Sequence, residues 1–298
     1  MDIIILLLIT LLIYLLPQNK EYLNVKSTSG LRGFLAIGII FHHLSQWVTS
    51  GDEFSNFSYM GTYIVSIFFF LSAYGLYFQN ENKKNYLDNF LVKRLSKILV
   101  PFFYISFKFF KNKFISIVIN TILIIGYICL AIKLGYGFWW YNSVFPFIIG
   151  LIWAKNQEKI DGVLDRHYFI ILVLVTVLLF ISHQYDILLR YVHLEDSYSY
   201  ALAANLDNII FTIYFIIVFL KKINFSNIYL ILIGSISFEL YMIHGLVISM
   251  LGKTLVSSRI NDVIFTFFVL VLSLILAWII NKLVNRITKK VSLLQNQE

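Results

Sequence analysis

The sequence predicts an all-α fold, a polytopic transmembrane helix bundle of about nine or ten spans. Three observations carry that expectation. Apolar runs long enough to cross a hydrocarbon core of about 30 Å recur from one end of the 298-residue chain to the other. Hydrophobic residues make up 59% of the chain and charged residues only 13%, about half the charged share of a soluble domain. The basic residues behind the net charge of +8 gather in short loops between the apolar runs. That is the positive-inside pattern and not a polyanion-binding face, so the partner it implies is a lipid bilayer and not nucleic acid.

The first run, IIILLLITLLIYLL over 3–16, follows Asp2 without a basic leader and precedes PQNKEY without a small-x-small cleavage site. It therefore reads as a retained, rather short span over 2–16 and not as a secretory signal. Further spans are expected at about 31–49, 60–78, 114–132, 138–154, 168–183, 199–220, 228–250 and 262–284. The stretch 98–113 is ambiguous, being apolar but broken by Lys108, Lys111 and Lys113, with Pro101 early in it. If it does not cross alone, the basic loops at 17–30, 79–97, 155–167, 221–227 and the tail all share one side, and the acidic GDEFSNFS and HLEDSYS loops the other. That arrangement favours nine full spans and a half-inserted segment, with the N-terminus outside and the C-terminus cytoplasmic. A full crossing at 98–113 makes ten and inverts every later loop. No internal repeat is visible, and residues 1–298 read as a single integral-membrane domain.

Polar residues inside the spans carry the functional reading, because a charge at mid-membrane costs roughly 2.5–3.5 kcal/mol on insertion scales. In RGFLAIGIIFHH (32–43), Arg32 and His43 are eleven residues apart. On a helix they project within about 20° of each other and lie roughly 16 Å apart along the axis. Arg32 as a snorkelling cation explains half of that stripe. A mid-membrane imidazole at His43 is less easily dismissed, since it titrates near neutrality and suits a general base. His42, about 100° away, reads as a packing or supporting histidine. Ser237, Tyr241 and His244 recur at i, i+4 and i+7, either as inter-helix glue or as a second set of site residues. Glu239 points away from them, toward lipid headgroups or a basic residue on a neighbouring helix. Trp139, Trp140 and Tyr141 fit an interfacial aromatic belt. His167, His183 and His193 lie at span ends or in loops and are assigned nothing. The one cysteine, Cys129, excludes a disulfide framework, and no two histidines on one helix have ligand spacing, so no metal is expected.

LRGFLAIGIIFHH resembles the first motif of the acyltransferase-3 family of membrane acyltransferases, an arginine and a histidine separated by ten residues in an early helix. VSIFFFLSAYGL (65–76) is similar to the family's second motif, VKRLSKILVP (92–101) to its basic stretch ending in proline, and WWYNSVFPFIIGLIWAKNQEKI (139–160) to an aromatic-rich family helix. GSISFELYMIHGLVI (234–248) resembles the late Ser-x-x-x-Tyr-x-x-His helix. The family-like core runs over about 28–285, behind the extra N-terminal span, and Ala73 stands where the family usually has glycine.

The resemblance implies a multi-pass enzyme of the cell membrane that moves an acyl group, most often acetyl, from cytoplasmic acyl-coenzyme A to a sugar hydroxyl. The acceptor is a surface or exported glycan or a lipid-linked sugar. His43 would be the general base, with His244 or Tyr241 orienting the acceptor. Arg32, Lys93, Arg94 and Lys97 would hold coenzyme A phosphates, with Ser72 nearby in the second motif. A lipid-headgroup collar explains the three basic residues equally well. A transporter or flippase of glycan intermediates, using the Arg32–His43 stripe as a path, is the rival reading; it expects broken helices in matching halves. Nothing in the sequence bears on oligomeric state.

Overall fold

The computed structural model describes residues 2–48, 53–82, 112–192, 198–255 and 259–295. Every regular element among them is helical: α1 (Asp2–Tyr14), α2 (Val25–Leu44), α3 (Gly61–Asn82), α4 (Lys113–Lys133), α5 (Pro146–Lys155), α6 (Gln157–Tyr191), α7 (Tyr198–Phe215), α8 (Ile228–Ser235), α9 (Ser237–Leu255) and α10 (Arg259–Gln295). The all-α class expected from the sequence holds. Among the described residues five helices are long and apolar enough to cross a membrane, or six if α8 and α9 form one broken span. The number falls short of nine for physical reasons. At 1.5 Å per residue, α1 with 13 residues and α5 with 10 are shorter than the hydrocarbon core. Helix α2 has the length, but Lys26, the Ser-Thr-Ser run, Arg32 and the two histidines dilute its apolarity. The ambiguous stretch 98–113 lies almost wholly outside the described residues.

The chain forms two compact units, Met1–Gln18 with Val65–Ile223, and Asn19–Ile64 with Asn224–Glu298. In the first, amide side chains buried among the helices tie them together. Asn205 Nδ2 donates to Tyr141 O and Ala201 O, and its Oδ1 accepts from the Phe145 amide. Asn208 Nδ2 donates to Asn142 O and Ala204 O, while its Oδ1 accepts from Ser66 Oγ. Tyr141 is therefore 1% exposed and belongs to this network, whereas Trp139 and Trp140 are exposed at 62% and 49% as a belt requires. The alanine at 73 has a local explanation. Gly150 of α5 approaches α3 so closely that a Cβ there would lie 2.4 Å from Phe70 O and 2.9 Å from the Ala73 Cβ. The space a second glycine would leave is already provided by Gly150.

At the end of α7 the backbone continues as a π-helical turn, Ile216–Leu220. Just beyond it, buried Lys221 sits 3.1 Å from both Asp161 and Asp165. Its neighbour Lys222 donates to Tyr14 O and Leu16 O, capping the carbonyl end of α1.

The second unit is built on backbone contact between α2 and α8. A Cβ on Gly33 would lie 2.1 Å from Leu230 O, and one on Gly234 would lie 1.9 Å from Ser29 O. Small residues on both helices let the backbones meet, the usual device where lipid offers no hydrophobic drive for association. Asn24 and Asn227 cap the two helices by accepting from the Ser27 and Tyr229 amides. The single span expected over 228–250 is instead broken at Ile236, where α8 and α9 bend by 73°. The cause is the Gly234–Ser235 pair. Gly234 must abut Ser29, and Ser235 Oγ donates to Leu232 O, back-bonding that loosens the helical ladder.

Candidate functional site

His43 lies in the last turn of α2, reached after nine apolar or glycine residues that begin at Gly33. Its ring centroid is 5.0 Å from that of His244 on α9, with the planes tilted by 41°. Two histidines 201 positions apart in sequence therefore face each other within the second unit. The α2–α8 contact and the bend at Ile236 bring α9 to this position. His244 is 4% exposed. Its Nδ1 is 3.0 Å from Leu240 O, and a carbonyl only accepts, so Nδ1 carries the proton in the neutral ring. The lone pair is thus on Nε2, which is buried and has no hydrogen-bond partner. His43 Nδ1 lies 3.4 Å from Gln46 Oε1, a loose contact that also leaves its Nε2 as the basic nitrogen.

His42 is held differently. Its Nδ1 donates to Phe57 O at 2.9 Å, and its ring lies over Gly61, where a Cβ would come within 2.5 Å. That is a packing histidine, as its helical angle suggested. Its ring centroid is 4.9 Å from that of His43, so it buttresses the site from behind.

The other expected residues divide. Tyr241 has its ring centroid 5.8 Å from that of His244 but is 44% exposed, whereas Ser237 is buried. The face they share is therefore wider than spacing suggested, with Tyr241 at its rim. Arg32 is half-buried, about two turns in from the N-terminal end of α2. Ser72 is half-buried on α3 in the first unit. Lys93, Arg94 and Lys97 lie outside the described residues. Glu239 Oε1 accepts from Asn281 Nδ2 of α10, and Asn285 Nδ2 extends the chain by donating to Asn281 Oδ1. Among the described residues no three His, Cys, Asp or Glu side chains are grouped to hold a metal.

Two ionisable groups escaped the reading of motifs. Asp207 in the first unit accepts from Ser182 Oγ at 2.6 Å and lies 3.7 Å from His183 Nδ1. Asp262, in the first turn of α10, is 4% exposed, and neither of its oxygens has a hydrogen-bond partner among the described residues. An acid inside an apolar run was the available signal for both.

Helices long enough to span a bilayer mark a multi-pass membrane protein, and within the second unit the buried imidazole of His244 faces the half-buried one of His43. A family model described as an acyltransferase domain, that of the acyltransferase-3 family, matches residues 25–110 and 98–282, most of the chain. The chain belongs to this family. The match begins at the start of α2 and leaves α1 outside it. No curated protein and no solved structure matches the chain.

Proposed function

We propose that this acyltransferase moves an acyl group, most simply acetyl, from cytoplasmic acyl-coenzyme A to a sugar hydroxyl of a surface or exported glycan, with His43 as general base. The facing of His43 and His244 carries the reading, because it puts a basic nitrogen beside a second, pre-oriented one. In this scheme the acceptor hydroxyl gives its proton to His43 Nε2 as its oxygen attacks the thioester carbonyl. The tetrahedral intermediate then collapses, the C–S bond breaks, and His43 returns the proton to the departing thiolate. His244 Nε2 accepts a hydrogen bond from the acceptor and orients it, and Tyr241 at the rim assists.

Arg32, with Lys93, Arg94 and Lys97, would hold the coenzyme A phosphates at the cytoplasmic face. The pantetheine arm would run along α2 to bridge the roughly 16 Å between Arg32 and His43. The C-terminus would be cytoplasmic, as the basic loops require. The broken α8–α9 helix is a feature of transporters too, which favours the rival path reading in one respect. Family membership favours acyl transfer.

The test uses membranes holding wild type or His43→Ala at equal expression, acetyl-labelled acetyl-coenzyme A, and two readouts: label in carbohydrate and release of free coenzyme A. Loss of a general base should slow transfer by about 10²–10⁴-fold. Normal transfer by the variant would remove His43 from the mechanism. A wild type that consumes no donor of any chain length would turn the reading toward transport.

A further inference from the structure

The second unit keeps bare polar atoms on facing helices, and they extend well beyond the histidine pair. Helix α10 buries one face, made of Asp262, Phe265, Val269, Ser273 and Ala277. Both polar members of that face are unsatisfied: among the described residues, the two Asp262 oxygens and Ser273 Oγ have no hydrogen-bond partner. Buried polar groups in proteins are almost always bonded, and the exceptions point to something that binds there. An unpartnered carboxylate is the costliest kind of exception.

Helix geometry places these atoms along one line. Helices α9 and α10 run antiparallel, since Glu239 bonds Asn281 at one end while Leu255 and Arg259 are only four positions apart at the other. At 1.5 Å per residue, Ser273 is level with His244 to within about 5 Å, and Asp262 lies roughly 12–20 Å beyond it toward the α9–α10 turn. At that same end Trp47, just past α2, lies against Gly252 of α9, where a Cβ would come within 2.3 Å of its ring. In the proposed orientation this is the extracytoplasmic side, from which an exported acceptor arrives.

We infer that Asp262 is a second acceptor subsite, taking hydrogen bonds from hydroxyls of a sugar residue distant from the one acylated at the histidines. The inference rests on the acyltransferase reading and narrows its substrate: the acceptor is an oligosaccharide or polymer and not a single sugar or small alcohol. The chemistry fits one class of ligand. A carboxylate offers about four acceptor sites in a plane, which matches neighbouring hydroxyls. A divalent cation would need several further oxygen ligands, and no such group of acids surrounds Asp262 among the described residues. Its place in the first turn of α10 is where a helix dipole favours an acidic side chain. The gap to His244 exceeds one sugar ring, so a single ring cannot occupy both positions.

The experiment uses the full-length protein in lipid nanodiscs, acetyl-coenzyme A, and the source cell's own surface polysaccharide hydrolysed and sorted by size from single sugars to hexasaccharides. Wild type should show a KM at least tenfold lower for the longer fragments than for single sugars. Asp262→Asn should raise the long-fragment KM by about tenfold to a hundredfold, the loss expected for hydrogen bonds to a charged group. Its kcat, its rate on single sugars and its release of coenzyme A without acceptor should stay within about twofold of wild type, because the charge-assisted hydrogen bonds are lost only at the distant ring. A variant that keeps the wild-type length preference, or slows all acceptors alike, overturns the subsite. Asp262→Leu supplies a readout independent of turnover. An unpartnered carboxylate predicts a Tm equal to or above wild type, and a marked fall would show a structural partner and overturn the inference. A wild type that turns over no donor overturns the acyltransferase reading itself, a result distinguishable from active enzyme with no length preference.

Discussion

The two units treat their buried ionisable groups in opposite ways. In the first, Lys221 is clasped by Asp161 and Asp165, and Asp207 accepts from Ser182 with His183 close by. In the second, neither Asp262 nor His244 Nε2, which lies beside the His43 ring, has a hydrogen-bond partner at those atoms among the described residues. Both units face the same physics, in which an unpaired buried charge costs several kcal/mol. The difference teaches which groups serve the fold. Ionisable side chains whose partners lie within the chain serve the fold, whereas those left bare are open to what binds. Applied to ionisable groups, that criterion points to the second unit for the proposed chemistry. It does not extend to every polar atom, since Asn142 Oδ1 in the first unit is also buried without a hydrogen-bond partner among the described residues.

The sharpest way to break this comparison is at Asn208. Its side chain makes three hydrogen bonds, to Asn142 O, Ala204 O and from Ser66 Oγ. Asn208→Ala strands all three at a buried position and should cost about 2–4 kcal/mol. Thermal unfolding in detergent should show the loss as a lower Tm, with coenzyme A release per folded molecule unchanged. Asp262→Leu, by contrast, should cost nothing. Equal losses at the two positions would erase the distinction between a structural and a waiting polar group.

Gly234→Ala probes how α8 positions the histidines. The added Cβ would sit 1.9 Å from Ser29 O, backbone against backbone, so the α2–α8 pair must part. Overpacking of this kind costs about 1–3 kcal/mol. Activity should fall by more than stability alone explains, since displacing α8 shifts α9 and therefore the 5.0 Å His43–His244 approach. Full activity at reduced Tm would mean that α9 holds its place without α8.

These particulars also mark what could be read from the sequence. The spacing of Arg32 and His43 on α2 and of Ser237, Tyr241 and His244 on α9 could be converted into helical faces at 100° per residue. The meeting of His43 with His244 could not be read that way. The helical class was legible from composition. The break at Ile236 was not, because the apolar run continues through it; what bends the chain is contact with Ser29, some 200 positions away. Tyr141 was read as part of a belt because its neighbours are, yet Asn205 draws it inside. Asp262 was visible as an acid in an apolar span. Its lack of a partner is a property of the packed helices and has no trace in the local sequence.

The smallest expected effect gives the finest test of the comparison. His183 contacts Asp207 at 3.7 Å and is 45% exposed at its side chain. The short bond to Asp207 comes from Ser182 at 2.6 Å. His183→Gln should therefore cost no more than about 1 kcal/mol, the worth of an exposed ion pair, and should not alter acyl transfer. Ser182→Ala should cost more, about 1–3 kcal/mol, because it removes a hydrogen bond from a buried carboxylate. Paired Tm measurements on the two variants decide it. If His183→Gln proves as costly as Ser182→Ala, or depresses turnover, then Asp207 and His183 act as a charged pair with a function, and the first unit is more than architecture.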